Sequence, residues 1–138
     1  MLVTLVLMWL MHYVFPIYQY VHEPLAYLGI AGVFSGIFMA AISAHLFKKA
    51  GTGIKPFDEA TMLVKDGFYR YSRNPMYLGM CLMLTGSAFL MGSIGALLPI
   101  PVFVLIIRNK FVAAEERFLE ASFGERYLEY KSTVRRWL

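Results

Sequence analysis

"NPMYLGMCLMLTGSAFLMGSIGALLPIPVFVLII", residues 74–107, decides the fold, because it holds no Asp, Glu, Lys or Arg. One membrane pass takes about 20 apolar residues, so this run exceeds one pass and, folded back on itself, gives two short ones. Asn74 offers an N-cap side chain, and Pro75 suits a first helical turn, where a missing N–H is no loss. They predict a helix over 75–91. "MGSIG" (91–95) makes a tight uncharged turn, and the chain returns from about residue 96, with Pro99 and Pro101 loosening the start. Both passes are short, which predicts a tilted or partly recessed hairpin.

Upstream, Glu23 is the only formal charge between Met1 and Phe47. Two more helices fit there, over about 2–20, interrupted by Pro16, and 24–47, opened by Pro24 after the "HEP" turn. The second carries Gly29, Gly32, Gly36 and Ala40 as a stripe of small residues, which lets a neighbouring helix of the bundle approach closely. The first run lacks a basic n-region and a small-residue cleavage site, so it reads as a retained span. Across all 138 residues, 59% are hydrophobic and 16% charged, against about a quarter charged in soluble domains. The expected fold is all-α: an integral membrane bundle of four transmembrane helices with a cytoplasmic C-terminal helical tail, one domain over 1–138.

The net charge of +4 does not indicate nucleic acid. Lys48, Lys49, Lys55, Lys65, Arg70 and Arg73 form one basic cluster, and the other begins at Arg108. Basic residues collect at cytoplasmic membrane ends. Four spans then put both termini and the 48–74 loop, broken by "GTG" and Lys55-Pro56, in the cytoplasm. Cys81 lies alone in an apolar run and fits no disulfide or metal motif. The fourth helix is expected to continue over 96–123 to a stop at Gly124. A last helix over 125–134 then aligns Tyr127, Tyr130 and Val134.

Within that tail, a helical period of about 100° per residue places Glu115 on the same side as Phe111, Phe118, Leu119 and Ser122. Arg108, two turns earlier, falls on this inward side too. Glu116, Arg117 and Glu120 are expected in solvent. An acid aimed at an apolar interior needs a partner or a proton, and near a membrane such residues are functional candidates. Glu115 then either pairs with Arg108 or an arginine of 66–79, or meets a cationic group on a ligand. The stretch "DGFYRYSRNPMYLG" (66–79) adds arginines and the tyrosines Tyr69, Tyr71 and Tyr77. These form either an interfacial belt or, with the acid, the wall of a pocket.

S-adenosylmethionine matches that inventory. Its ammonium needs a carboxylate, its carboxylate needs arginine or helix N-terminal amides, and its sulfonium is drawn to aromatic faces. Methyl transfer is an in-line displacement that rests largely on positioning. That accords with a chain lacking a Ser-His-Asp pattern, a metal cluster and a nucleophilic Cys motif. There is no G-x-G-x-x-G after a strand, which excludes a Rossmann-type site. His12, His22 and His45 read as packing or interfacial residues.

"LVKDGFYRYSRNPMYLG" (63–79) and "EERFLEASFGERYLEYKSTVRRWL" (115–138) together resemble the isoprenylcysteine carboxyl methyltransferase and phospholipid methyltransferase superfamily. "AGTGIKPF" (50–57) resembles the preceding loop of bacterial members. The resemblance implies an integral membrane enzyme that encloses S-adenosylmethionine with the cytoplasmic ends of its last helices and its tail. It implies cofactor contacts at Leu63, Val64, Tyr69, Asn74, Pro75, Met76 and Tyr77, and at Glu115. Asn74 stands where the eukaryotic carboxyl methyltransferases have His, and Phe111 where they place a substrate arginine. Arg108 and Arg73 are the candidate catalytic residues, Arg73 for the donor's carboxylate and Arg108 for the acceptor. The acceptor is expected to be lipophilic and to take the methyl on carboxylate oxygen or sulfur. An NADPH-dependent membrane reductase of the sterol type and a non-enzymatic membrane adaptor are the alternatives.

Overall fold

Helix starts and stops follow the local chemistry of the chain. The computed structural model describes residues 1–15, 23–51 and 62–138. Pro16, His22 and residues 52–61 of the 48–74 loop, Lys55-Pro56 included, lie outside the described residues. The described chain is all-α, with six α-helices: α1 (Leu2–Val14), α2 (Glu23–Lys49), α3 (Pro75–Met91), α4 (Pro99–Ile106), α5 (Ala113–Phe123) and α6 (Glu125–Thr133). Short 3-10 turns cover Gly67–Arg70 and Ile94–Leu97, and a π-helical turn covers Ile107–Val112.

Helix α3 starts at Pro75, as expected, and the Asn74 carbonyl accepts from Leu78 N–H at 3.0 Å. The Asn74 side chain donates to the Arg136 carbonyl rather than capping the helix. At its far end Gly92 takes φ 66, open to glycine. The Ser93 hydroxyl then caps the next turn by accepting from Ala96 N–H. Pro99 and Pro101 fall in the first turn of α4, where no helical bond is lost. The path from Ile94 to Phe123 is one 30-residue apolar helical stretch. It ends at Gly124, with φ 53.

Two helical stretches, Ala26–Lys49 and Ile94–Phe123, are long and apolar enough to cross a membrane, while Leu2–Val14 and Pro75–Met91 are shorter apolar helices. Much of their apolar surface faces outward: Leu2, Val3, Val6 and Trp9 on α1, Tyr27, Phe34 and Phe38 on α2, and Val102 and Leu105 on α4 are all exposed. Side chains of this kind are stable outside only where the solvent is lipid. The protein is a membrane protein.

The chain forms two compact units. The first, Met1–Phe38 with Gly79–Ile106, is packed backbone to backbone. A Cβ on Gly29 would lie 2.8 Å from the Gly86 carbonyl oxygen, and one on Gly36 2.5 Å from that of Gly79. The small-residue stripe of α2 therefore receives α3, as expected, through glycines of α3 that the sequence reading had not singled out. Met8, Leu84, Ala88, Ala96 and Phe103 complete this interior. The second unit, Met39–Leu78 with Ile107–Leu138, has a polar interior that includes Ser72, Asn74 and Glu116 beside Tyr69, Val112, Tyr127 and Tyr130.

Candidate functional site

The second unit contains a small, partly open pocket with a cavity volume of about 60 Å³, well below the ~300–1,000 Å³ of fully formed small-molecule sites. Met62, Leu63 and Val64 form one wall, and Phe47 at the end of α2 packs on Tyr69 with ring centroids 5.3 Å apart. Tyr69, Arg73, Asn74, Met76 and Tyr77 come from the segment leading into α3, and Glu115, Glu116 and Leu119 from α5. Tyr127 and Tyr130 of α6 close the far side.

Of the residues expected from the sequence, Leu63, Val64, Tyr69, Arg73, Asn74, Met76, Tyr77 and Glu115 are brought together here. Pro75 is buried but lines a separate apolar cleft with Phe68, Tyr71 and Leu78. Tyr71, expected to join Tyr69 and Tyr77, is 72% exposed.

Glu115 faces the pocket, and its carboxylate accepts a hydrogen bond from the Tyr77 hydroxyl at 2.7 Å. No ion pair of Glu115 occurs among the described residues, so neither expected arginine partner meets it. Arg108 is the clearest correction: it is exposed and takes no part in the pocket. The π-helical turn Ile107–Val112 supplies the reason. A π turn takes up one residue more than an α turn, so positions across it rotate by about 100° relative to an unbroken helix. Arg108 lies inside that turn and Glu115 beyond it, so the two lose their common face. Phe111, 37% exposed, and Ser122, also exposed, leave the expected inward side as well.

Glu116 is the second correction. Expected in solvent, its side chain is only 8% exposed and is held by two guanidinium groups. Arg136 donates through Nε at 3.0 Å and Nη2 at 2.7 Å, and Arg73 Nη2 lies 3.3 Å from Oε1. Arg117 is exposed, as expected, and Glu120 pairs with Lys131 at 3.0 Å near the surface. His45 is exposed, and His12 packs edge-on against Tyr13.

The chain after α6 returns along the start of α3. Arg73 N–H donates to the Arg135 carbonyl at 2.9 Å. The Arg136 carbonyl accepts from the Ser72 hydroxyl at 3.3 Å and from Asn74 Nδ2 at 3.1 Å. Asn74, expected to face a cofactor, thus spends its amide nitrogen on the tail. On α6, the Tyr130 hydroxyl donates to the Tyr69 carbonyl at 2.7 Å, and Lys65 sits 5.7 Å from the centre of the Tyr130 ring.

Several buried polar atoms of this pocket have no hydrogen-bond partner among the described residues: Tyr69 Oη, Tyr127 Oη, and Nε and Nη1 of Arg73. The Tyr127 hydroxyl lies beside Arg73 without reaching hydrogen-bond geometry. Burial, and then the Glu116 charge, push this phenol up to about 12. Burial, with Tyr130 and Glu115 nearby, raises Tyr69 further. Both hydroxyls therefore stay protonated donors at neutral pH. Unpaired buried donors cost about 1–3 kcal/mol each, and native pockets carry them where a ligand satisfies them.

Signals for the missed residues were partial. The spacing places Tyr127 and Tyr130 on one face of the last helix without tying them to the pocket. Nothing in the spacing links Glu116 to Arg136 across 20 residues.

The class these features define is an all-α membrane protein whose pocket carries an acid, Glu115, and, among the described residues, unpaired buried donors of Arg73. The chain belongs to the phospholipid methyltransferase family, whose pattern it matches over residues 24–126. It is 41% identical over 63 residues to an uncharacterized protein of Haemophilus influenzae, covering 46% of this chain and all of that one. It is 30% identical over 73 residues to the protein-S-isoprenylcysteine O-methyltransferase of Schizosaccharomyces pombe, 53% of this chain and 31% of the relative. The protein of the same name in Saccharomyces cerevisiae is 29% identical over 110 residues, 78% of this chain and 44% of the relative. The chain thus spans less than half the length of these two yeast relatives. No solved structure matches it.

Proposed function

We propose that the protein is an S-adenosylmethionine-dependent methyltransferase acting on a lipophilic acceptor that partitions into the membrane. The observation that carries this reading is the placing of Glu115 and the unpaired N–H groups of Arg73 on one pocket, which suits a ligand bearing both an ammonium and a carboxylate. When bound, the methyl donor supplies an electrophilic methyl group on a sulfonium for in-line displacement. Glu115 binds the ammonium and is held in place by Tyr77. Arg73 binds the carboxylate, joined by the N–H groups of the first turn of α3. Leu63, Val64, Met76 and Leu119 provide apolar walls for the adenine, and Tyr69 and Tyr77 face the ribose and sulfonium.

The acceptor atom is a carboxylate oxygen or a sulfur rather than an amine. An amine must give up a proton to a base, and the two pocket carboxylates are committed, Glu115 to Tyr77 and the donor and Glu116 to its arginines. In the bilayer the apolar helices make four passes, with both termini, the pocket and all 13 Lys and Arg on the cytoplasmic side. The acceptor enters sideways between helices.

Calorimetry on detergent-solubilised protein tests the assignment. S-adenosylmethionine binds the wild type, NADPH does not, and Glu115→Gln weakens donor binding at least tenfold. Saturable binding of NADPH without S-adenosylmethionine would overturn the reading in favour of a reductase, and binding of neither in favour of an adaptor.

A further inference from the structure

The buried cluster at the pocket wall is unbalanced in charge. Among the described residues, Arg73 and Arg136 share the one carboxylate of Glu116, which leaves one positive charge over. Glu116 is nearly fully buried, and so is Arg73, with its side chain 9% exposed. Arg136 is the half-exposed member, at 36%. Arg136 takes both carboxylate oxygens at short range, through Nε and Nη2. Arg73 is left with one longer contact, through Nη2. Among the described residues its Nε and Nη1 remain buried and unpaired on the pocket, and the Tyr127 hydroxyl, likewise without a partner, lies beside it. A buried guanidinium with spare donors is costly unless an anion completes it.

We propose that Glu116 and Arg136 are positioning residues that hold the Arg73 guanidinium ready for the carboxylate of the methyl donor, an inference that rests on the function proposed above. Glu116 fixes the orientation of Arg73 through one nitrogen and leaves the other two to the ligand. Arg136 prevents full neutralisation. By occupying both oxygens of Glu116, it keeps Arg73 from closing a bidentate pair of its own and losing its affinity for an outside anion. The residues after α6 therefore belong to the donor site itself. They are held along residues 72–74 by the bonds of Ser72, Arg73 and Asn74 to the Arg135 and Arg136 carbonyls.

Two ligands separate positioning from mere folding. S-adenosylhomocysteine carries the ammonium and the carboxylate, and its decarboxylated form, S-adenosyl-3-thiopropylamine, keeps the ammonium alone. Wild-type protein in detergent binds the first at least tenfold more tightly, since a hydrogen-bonded carboxylate is worth about a factor of ten or more. Arg136→Gln and Glu116→Gln each lower affinity for S-adenosylhomocysteine about tenfold and leave the decarboxylated ligand unchanged, so the preference disappears. Arg136→Lys keeps the charge but not the fork, and restores part of it. Equal losses for both ligands, or no loss for either, overturn the proposal while leaving the donor site standing. Failure of the wild type to bind either ligand overturns both. Should Glu116→Gln fail to fold, Arg136→Gln, at the more exposed partner, decides alone.

Discussion

The two units of this chain are built on opposite principles. In Met1–Phe38 with Gly79–Ile106, helices meet glycine against backbone, and the Ser87 hydroxyl, where it needs a partner, returns to its own helix at Met83 O, 2.8 Å away. Between lipid-facing helices there is no water to expel, so cohesion comes from close contact. In Met39–Leu78 with Ile107–Leu138, a carboxylate and one guanidinium group lie inside with a second, half-exposed guanidinium beside them, tied by bonds between residues 20 to 64 positions apart. One unit tolerates no added atom, while the other depends on charge balance. The buried polar groups that lack partners among the described residues of this second unit line its pocket.

Three substitutions sharpen that contrast. The largest effect is expected for Gly86→Leu, because a Cβ there would lie 2.6 Å from both Gly29 O and Val33 N, and backbone cannot step aside. The cost is about 3 kcal/mol or more, seen as loss of the monodisperse folded species on size-exclusion chromatography. An unchanged elution profile and melting temperature would show that the close approach is dispensable. Tyr130→Phe removes only the 2.7 Å bond to the Tyr69 carbonyl. It should lower stability by about 1 kcal/mol, with a drop of a few degrees in melting temperature and little change in the first unit. Arg108→Ala should do least, within about 0.5 kcal/mol in stability and without change in S-adenosylhomocysteine affinity. A tenfold loss of affinity there would mean that the π-helical turn does not rotate Arg108 away.

How far the sequence could be read depended on whether the deciding interaction was local. Helix α3 was legible to the residue, since Asn74, Pro75 and Gly92 act within one turn. The inward aim of Glu115 was also legible, because it and Leu119 lie on one unbroken α-helical stretch. Arg108 was misplaced because periodicity counting assumes a constant pitch, and six residues of π-helix broke it. Glu116 was misplaced because the charges that make its burial tolerable come from Arg73 and Arg136, neither of them on its own helix.

By itself, then, the sequence determined the all-α, apolar character of the chain, the end points of α3 and the gathering of aromatic and basic residues around an inward acid. All of these follow from hydropathy, capping and pitch over a few neighbouring residues. Only the tertiary structure decided which glutamate binds arginine and which bonds to Tyr77, and that Tyr127 and Tyr130 form part of the pocket wall. Pairing buried charges is a matter of distance in space, and no residue's own neighbourhood in the chain contains that information.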